Sequence, residues 1–287
     1  MIALALATQS VIALVLGGVI QAAAKLLLCH YGLPGAANRF RWETAAAGEL
    51  IHFGKWIFLS TAFWFLTSQG DRAILGKFVP LEVLGIYNIG YFLASFPMLL
   101  GHAVNQRLMI PVYRDKPARE APENLQRQRQ LRGGLTAGIL AMLIAMAWAG
   151  PWLVQFLYDD RYLQAGPMIV LIALALAPAV ITMTYDQAAL AAGDSRGFFV
   201  FSAVRACLQT GMFLGGVAWF GLAGGIAALG LAMLAAYPVL VQLARRHHVW
   251  DPLHDAVYGL LTLAAGGAAL LWHWDAVTAM AAAMSFS

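Results

Sequence analysis

Two adjacent residues of opposite charge, Asp71 and Arg72, lie inside the apolar stretch Trp56–Tyr91. A charged side chain near the centre of a membrane-spanning helix costs roughly 2.5–3.5 kcal/mol on insertion scales, so its presence indicates a function. No proline separates the pair from the run that ends at Phe78, which predicts one helix with the pair about two turns inside its outer end. Neighbouring residues on a helix point about 100° apart, so at least one of the two must face a polar cavity.

A second pair of charges, Asp186 and Arg205, lies inside two consecutive apolar segments. At a rise of 1.5 Å per residue, Asp186 is about 9 Å and Arg205 about 13 Å from the cytoplasmic ends of their helices. Because the two helices are antiparallel neighbours, the side chains could form a buried ion pair that faces a central cavity. The alternative is that each side chain reaches the cytoplasmic interface separately.

Two lysines, Lys25 and Lys55, lie about one turn from predicted cytoplasmic helix ends. Long basic side chains at such positions extend to the membrane surface, so both are interpreted as interfacial anchors. Lys55 is also a candidate binding residue, because it stands at the head of the stretch that contains Asp71 and Arg72.

The composition of the chain indicates what kind of helices must position these charges. Of 287 residues, 61% are hydrophobic and only 11% are charged, and the mean hydropathy is +0.71. A soluble domain carries about a quarter charged residues, so the sequence predicts a membrane protein. The net charge of +4 is too small to indicate a nucleic-acid partner.

About eight apolar segments have membrane-spanning length, and helices are the expected state because no β-type alternation is present. The predicted fold is therefore an all-α, polytopic bundle. The segments are 3–28, 50–78, 83–110, 134–157, 165–191, 196–220, 222–244 and 255–273. The tail from Asp275 to Ser287 is apolar but too short for a ninth span.

Most arginines and lysines outside these segments fall on one side of the predicted bundle, and the longest polar connection, Pro111–Gly133, is on that side. Basic connections stay in the cytoplasm, so we predict that the N-terminus faces outwards. This orientation indicates the later part of a longer protein, or alternatively a first helix that truly begins outside. Connection Pro111–Gly133 is interpreted as a solvated loop, or alternatively as a contact for anionic membrane lipids or a cytoplasmic partner.

No catalytic constellation is found. The segment Gly193–Gly197 matches G-x-S-x-G, but that motif requires a strand, a sharp turn and a helix, whereas this segment links two apolar segments. There is no phosphate-binding P-loop and no metal-ligand spacing, and Cys29 and Cys207 are too isolated for a zinc site. The basic run Arg245–His248 is interpreted as a membrane anchor rather than a metal site. We therefore expect no enzyme, no cofactor and no metal.

Three motifs resemble bacterial polysaccharide flippases of the multidrug/oligosaccharidyl-lipid/polysaccharide superfamily. They are F-G-K-W-x-F-L-S (Phe53–Ser60), Q-G-D-R-x-x-L-G-K-F (Gln69–Phe78) and L-G-x-Y-N-x-G-Y (Leu84–Tyr91). The upstream R-F-R-W (Arg39–Trp42) resembles the linker before the second lobe of these exporters. The resemblance is closest over about residues 38–114.

The resemblance implies an assignment of domains. Residues 1–49 would be a helix and cytoplasmic linker, 50–245 a six-helix second lobe, and 246–287 a further transmembrane helix and tail. The first five helices and the last helix of the family pattern are absent, so a complete transport path within this chain is in doubt.

The resemblance also implies a ligand and a mechanism. Cationic residues in a central cavity of the family hold the pyrophosphate of a lipid-linked sugar, and Arg72 and Arg205, with Lys55 behind them, match by position. Asp71 and Asp186 complete the candidate substrate-binding set. The implied partners are lipid-linked oligosaccharide, membrane lipids and the polymerase or assembly proteins of polysaccharide biosynthesis, in the bacterial inner membrane.

Two other functions fit the sequence. One is a cation-coupled drug or metabolite exporter of the same superfamily, in which Asp71 or Asp186 would titrate. The other is a membrane-embedded accessory subunit of a glycan assembly complex, with no transport activity of its own.

Overall fold

A computed structural model describes residues 12–32 and 42–284 of the chain, with side chains from residue 16 onwards. These residues form helices and short connections without strands, which confirms the predicted all-α class. The described chain divides into two compact units with a boundary between Glu49 and Leu50. The first predicted segment is described only from residue 12, and Arg39 and Arg41 lie outside the described residues.

The first unit contains helix α1, Ile12–Tyr31. The chain continues as α2 (Thr44–Phe78), α3 (Leu81–Asp115), α4 (Pro122–Leu157), a 3₁₀ turn (Asp160–Tyr162), α5 (Ala165–Thr182), α6 (Tyr185–Ala191) and α7 (Ser195–Arg246). It ends in α8 (Pro252–Leu261), a π-helical turn (Thr262–Gly266), α9 (Gly267–Trp272) and α10 (Trp274–Ala283). The tail that was predicted to be too short for a ninth span forms the short helix α10. The Met284 carbonyl, directly after α10, accepts a hydrogen bond from the Leu222 amide of α7.

Six helices of the described chain are long and apolar enough to cross a membrane, which makes this a multi-pass membrane protein. They comprise Thr44–Phe78, Leu81–Asp115, Pro122–Leu157, Asp160–Thr182, Ser195–Arg246 and Pro252–Trp272. The 52-residue α7 contains both the sixth and the seventh predicted segment. A straight helix of that length would be about 78 Å long, more than twice the apolar thickness of a bilayer.

Gly221 divides α7 into two halves, because its backbone has φ 65° and ψ −160° and leaves the helical region. Only glycine adopts this conformation without strain. The backbones on either side approach closely, since a Cβ atom added to Gly216 would lie 2.5 Å from the carbonyl oxygen of Gly224. The chain therefore folds back at Gly221, as the predicted boundary between segments six and seven requires.

The fifth predicted segment, 165–191, is one span in sequence but is interrupted at Met183 and Thr184, between α5 and α6. A helix end leaves backbone groups that need partners inside a membrane. Buried Asn105 of α3 donates from Nδ2 to the Met183 carbonyl at 2.7 Å, and Arg132 of α4 donates from Nε to the Thr184 hydroxyl at 3.0 Å. Side chains of α3 and α4 thus hold the break.

Helix α5 occupies the centre of the second unit, with most of its side chains buried, as expected for a helix that is apolar on every face. Helices α3, α4 and α7 pack around it. By contrast, α2 buries only Ser60, Gly70, Asp71 and Leu75. One end of α2 is therefore attached to the bundle at the position of the predicted charged pair.

Candidate functional site

Asp71 is buried at the contact between α2 and α3. The hydroxyl of Tyr87, on α3 and fully buried, donates to Asp71 Oδ2 at 2.6 Å. Asp71 Oδ1 has no hydrogen-bond partner among the described residues. The acid of the charged pair therefore joins two helices through a tyrosine.

The Arg72 side chain points in a different direction from that of Asp71, as expected for the next residue on a helix. Its Nη1 donates to Gln69 Oε1 at 2.8 Å, and its Cζ lies 5.3 Å from the centroid of the Tyr91 ring. Its Nε is buried and has no partner among the described residues. The guanidinium group is thus held by a cation–π contact and retains a free donor.

Arg205, on the first half of α7, has the same feature, because its Nε is buried without a partner in the described part of the chain. It interacts electrostatically with Asp186 of α6 and with Tyr91. Within the described residues Arg205 and Asp186 form no ion pair closer than 4 Å, so the predicted direct pair is wrong. Asp186 Oδ1 instead accepts a hydrogen bond from Gln187 Nε2 at 3.1 Å, and only the longer-range attraction to Arg205 remains.

Tyr91 connects the two arginines, since it contacts Arg72 and interacts with Arg205. Its ring centroid lies 5.8 Å from that of Tyr87. We call Asp71, Arg72, Tyr87, Tyr91 and Arg205 the arginine–tyrosine cluster. It brings three helices together and leaves an Nε donor free on each guanidinium group.

Tyr87 and Tyr91 both belong to the motif Leu84–Tyr91, but neither is among the candidate binding residues predicted from the sequence. Tyr87 and Tyr91 are four residues apart, so they lie on one face of α3. The four-residue spacing of the two tyrosines, next to a helix that carries an acid in an apolar run, could have indicated that they belong to the site.

Lys55 is not part of this cluster. It is exposed, and its Nζ lies 5.2 Å from the centroid of the Trp56 ring. Arg196, at the start of α7, lies 6.0 Å from the same ring, which also contacts Phe199. Because α2 begins at Thr44, Lys55 lies about three turns inside the helix, and its predicted place one turn from a helix end is wrong. Lys55 and Arg196 flank one tryptophan, about 25 Å along α2 from Arg72.

The basic run Arg245–His248, at the end of α7, contacts the connection between α6 and α7. Arg246 Nη1 lies 3.5 Å and His247 Nε2 3.1 Å from Asp194 Oδ2, and Asp194 Oδ1 accepts a hydrogen bond from the Gly197 amide at 2.8 Å. Partial burial raises the pKa of the Asp194 carboxyl, but Gly197, His247 and Arg246 together hold that pKa below its ordinary value. The G-x-S-x-G match therefore lies in a helix–helix connection, with Asp194 as the N-cap of α7.

Arg132 was predicted to lie in the solvated connection before the fourth segment, and this prediction is wrong. Helix α4 begins at Pro122 rather than near residue 134, and the Arg132 side chain is fully buried. Its burial could not be anticipated, because its partners Tyr113, Thr184 and Tyr185 come from other helices.

A family described as polysaccharide biosynthesis protein matches residues 1–167, which is more than half of the chain. The chain belongs to this family. The match includes α2 and α3, which carry four of the five cluster residues, whereas Arg205 lies beyond it. The membership predicted from the three motifs is confirmed, and it assigns the protein a role in polysaccharide biosynthesis.

Two curated proteins are similar to parts of the chain. The teichuronic acid biosynthesis protein TuaB of Bacillus subtilis is 24% identical over 204 residues, covering 64% of this chain and 41% of TuaB. The amylovoran biosynthesis protein AmsL of Erwinia amylovora is 31% identical over 111 residues, covering 38% of this chain and 28% of AmsL. The alignments thus cover less than half the length of either relative. No solved structure matches the chain.

Proposed function

We propose that this chain moves an anionic, lipid-linked oligosaccharide across the bacterial inner membrane during polysaccharide biosynthesis. The observation that carries the proposal is the pair of half-buried arginines beside Tyr91, each with a buried Nε donor that has no partner among the described residues. In this view Arg72 and Arg205 bind the phosphate groups that link the sugar to its lipid.

The chemistry of the headgroup supports this assignment. A phosphate that crosses an apolar layer needs compensating positive charge, and the guanidinium group offers donors that match two phosphate oxygens at once. A free Nε beside Nη2 provides such a fork on each arginine. Tyr91 holds Arg72 by its ring face, so the donors remain directed away from the tyrosine.

The other candidate residues take supporting roles in the proposal. Asp71 is engaged by Tyr87 and positions α2 against α3, so Arg72 rather than Asp71 meets the ligand. Asp186 attracts Arg205 from α6 and keeps it oriented towards Tyr91. Lys55, exposed on the first half of α2, provides a first contact for the headgroup. Transport would proceed by rocking of two helix bundles around the cationic site.

The test uses chromosomal variants of the full-length protein in its native host. Arg72→Ala and Arg205→Ala should each reduce surface polysaccharide about tenfold or more and cause lipid-linked precursor to accumulate, because one charge-assisted hydrogen bond contributes about 1.5–3 kcal/mol. Arg72→Lys should retain partial export, since lysine keeps the charge but loses the fork. Arg114→Ala is the matched control, because Arg114 is exposed and its one ion pair within the described residues is with the neighbouring Asp115.

Two results would contradict the proposal. Normal polysaccharide together with altered drug sensitivity in the arginine variants would favour a cation-coupled drug or metabolite exporter. Loss of polysaccharide on deletion of the whole protein, with normal export in both arginine variants, would favour a non-transporting accessory subunit.

A further inference from the structure

A second polar network lies away from the arginine–tyrosine cluster, where α8 packs against α4 and α5. At its centre is Asp255, whose side chain is 10% exposed. The Tyr185 hydroxyl donates to Asp255 Oδ1 at 2.7 Å, and the Tyr237 hydroxyl donates to Oδ2 at 2.6 Å. No lysine or arginine in the described part of the chain lies within 4 Å of this carboxylate.

His254 is the one basic partner of Asp255 among the described residues, and its side chain is 6% exposed. Its Nδ1 lies 3.0 Å from Asp255 Oδ1, and its Nε2 lies 3.1 Å from Thr136 Oγ1 of α4. Both ring nitrogens therefore have a partner in the interior of the protein.

These partners suit both protonation states of the imidazole. When neutral, Nδ1–H donates to Asp255 and Nε2 accepts from the Thr136 hydroxyl. When protonated, both nitrogens donate, and Thr136 accepts, because a hydroxyl can act in either sense. Histidine is also the side chain whose ordinary pKa places a charge change between pH 5 and 8. Neither state leaves a buried nitrogen without a partner.

Charged residues of the neighbouring helices lie around His254 and Asp255. Arg132 of α4 stacks over the Tyr185 ring, with 4.5 Å from Cζ to the centroid, so Tyr185 lies between a buried cation and the Asp255 carboxylate. Arg129 Nε pairs with Asp251 Oδ2 at 2.9 Å. Two arginines thus face two aspartates, and a proton on His254 adds a positive charge directly beside Asp255. Further titratable or charged groups that contact members of this network are Tyr113, Tyr237, Arg245 and Tyr258.

A cleft of about 440 Å³ leads to this network. It lies between α5, the second half of α7 and α8, and its walls are mostly apolar. Asp255, Tyr237, Thr182 and Thr262 are its polar lining groups, so Asp255 lies at the boundary between the cleft and the interior. The carboxylate of an otherwise enclosed pair therefore borders an open cleft.

We propose that His254 and Asp255 form a proton-binding site, in which His254 takes up one proton and the resulting imidazolium pairs with the Asp255 carboxylate. Thr136 fixes the opposite edge of the ring, and Tyr185 and Tyr237 hold the carboxylate. If the transport function proposed above holds, proton binding at this site changes the contacts of α8 with α4, α6 and α7. The proton site itself does not depend on that function.

The experiment is NMR of the full-length protein in detergent, labelled with ¹⁵N histidine and titrated from pH 5 to pH 8. His254→Gln assigns one of the seven histidine signals, and His52→Gln, which alters an exposed residue of α2, is the matched control. We expect the His254 signal to titrate as a single group within this range. Asp255→Asn should lower its midpoint by about one pH unit or more, because the opposite charge that favours the imidazolium is removed.

Thr136→Val provides a second test that preserves side-chain shape. It should lower the His254 midpoint, because the protonated Nε2 loses its acceptor, and the displaced signal also assigns His254 if His254→Gln fails to fold. A His254 signal that does not titrate between pH 5 and 8, or a midpoint unchanged by Asp255→Asn, would overturn the proposal. The NMR titration does not measure transport. A negative titration would therefore overturn the proton site alone, whereas normal export by the Arg72 and Arg205 variants would overturn the transport function alone.

Discussion

The hydroxyl of Tyr87 lies 2.6 Å from Asp71 Oδ2 and joins α2 to the rest of the second unit. Helix α2 buries few side chains, so this single hydrogen bond acts at one of its few points of attachment. It also sets the direction of Arg72, because fixing Asp71 against α3 fixes the rotation of α2 about its axis. A bond between two helices thus determines where the cationic group points.

Tyr87→Phe should destabilise the protein. The substitution preserves ring packing but leaves the buried Asp71 carboxylate without its donor, which costs about 1–3 kcal/mol. The measurement is thermal unfolding of the purified protein in detergent. Asp71→Asn is the paired variant, since its amide oxygen still accepts from Tyr87, and it should lose less. Equal stability of Tyr87→Phe and the unmodified protein would show that this bond contributes nothing.

Much of the fold could be predicted, because the lengths of the apolar segments indicate where the membrane-spanning helices begin and end. The run to Phe78 without a proline placed Asp71 and Arg72 inside a helix, and they lie within α2. The boundary at Gly221 followed from the lengths of the apolar segments. These inferences depend on local sequence, which hydropathy and helix-breaking residues describe well.

Features that depend on contacts between helices could not be predicted. Arg132 follows a polar, basic connection and had the sequence context of a solvated residue, yet its hydrogen-bond partners come from α3 and from the break between α5 and α6. The Asp186 carboxylate accepts a hydrogen bond from the adjacent Gln187 side chain and forms no direct pair with Arg205 within the described residues. The spacing of residues along the sequence does not show which partner a buried Arg132 or Asp186 side chain will have.

Asn105→Ala should destabilise the break between α5 and α6. Asn105 Nδ2 donates to the Met183 carbonyl at 2.7 Å, and its loss should cost about 1–3 kcal/mol, because the acceptor is buried. Gln106→Ala changes the exposed neighbour on the same helix and serves as the control. Hydrogen exchange of the residues around Thr184 should accelerate in Asn105→Ala alone. Unchanged exchange would mean that the break is held without Asn105.

Asp194→Asn tests the ion pairs between the α6–α7 connection and the end of α7. Because the pKa of Asp194 is lower in the folded protein than in the unfolded chain, its contribution to stability is present above about pH 4. That contribution is lost as the pH falls through the folded-state pKa. Asparagine preserves the N-cap, so the substitution removes mainly the charge.

The stability difference between the unmodified protein and Asp194→Asn should therefore be largest near pH 6 and shrink below about pH 4. Denaturant unfolding at a series of pH values measures it. Asp160→Asn, at an exposed position, should show a small difference that does not follow this pattern. A difference for Asp194→Asn that stays constant down to pH 3 would contradict the assignment.

Gly216→Ala should disrupt the reversal within α7. The added Cβ would lie 2.5 Å from the Gly224 carbonyl oxygen, and because that contact is to backbone, the two halves of the helix must move apart. We expect a loss of about 1–3 kcal/mol, typical of overpacking. Gly134→Ala is the matched control on α4, where an added Cβ has no neighbour within 4 Å and alanine favours the helix. Thermal unfolding should show Gly216→Ala less stable and Gly134→Ala at least as stable as the unmodified protein, and the reverse order would refute the close approach at Gly216.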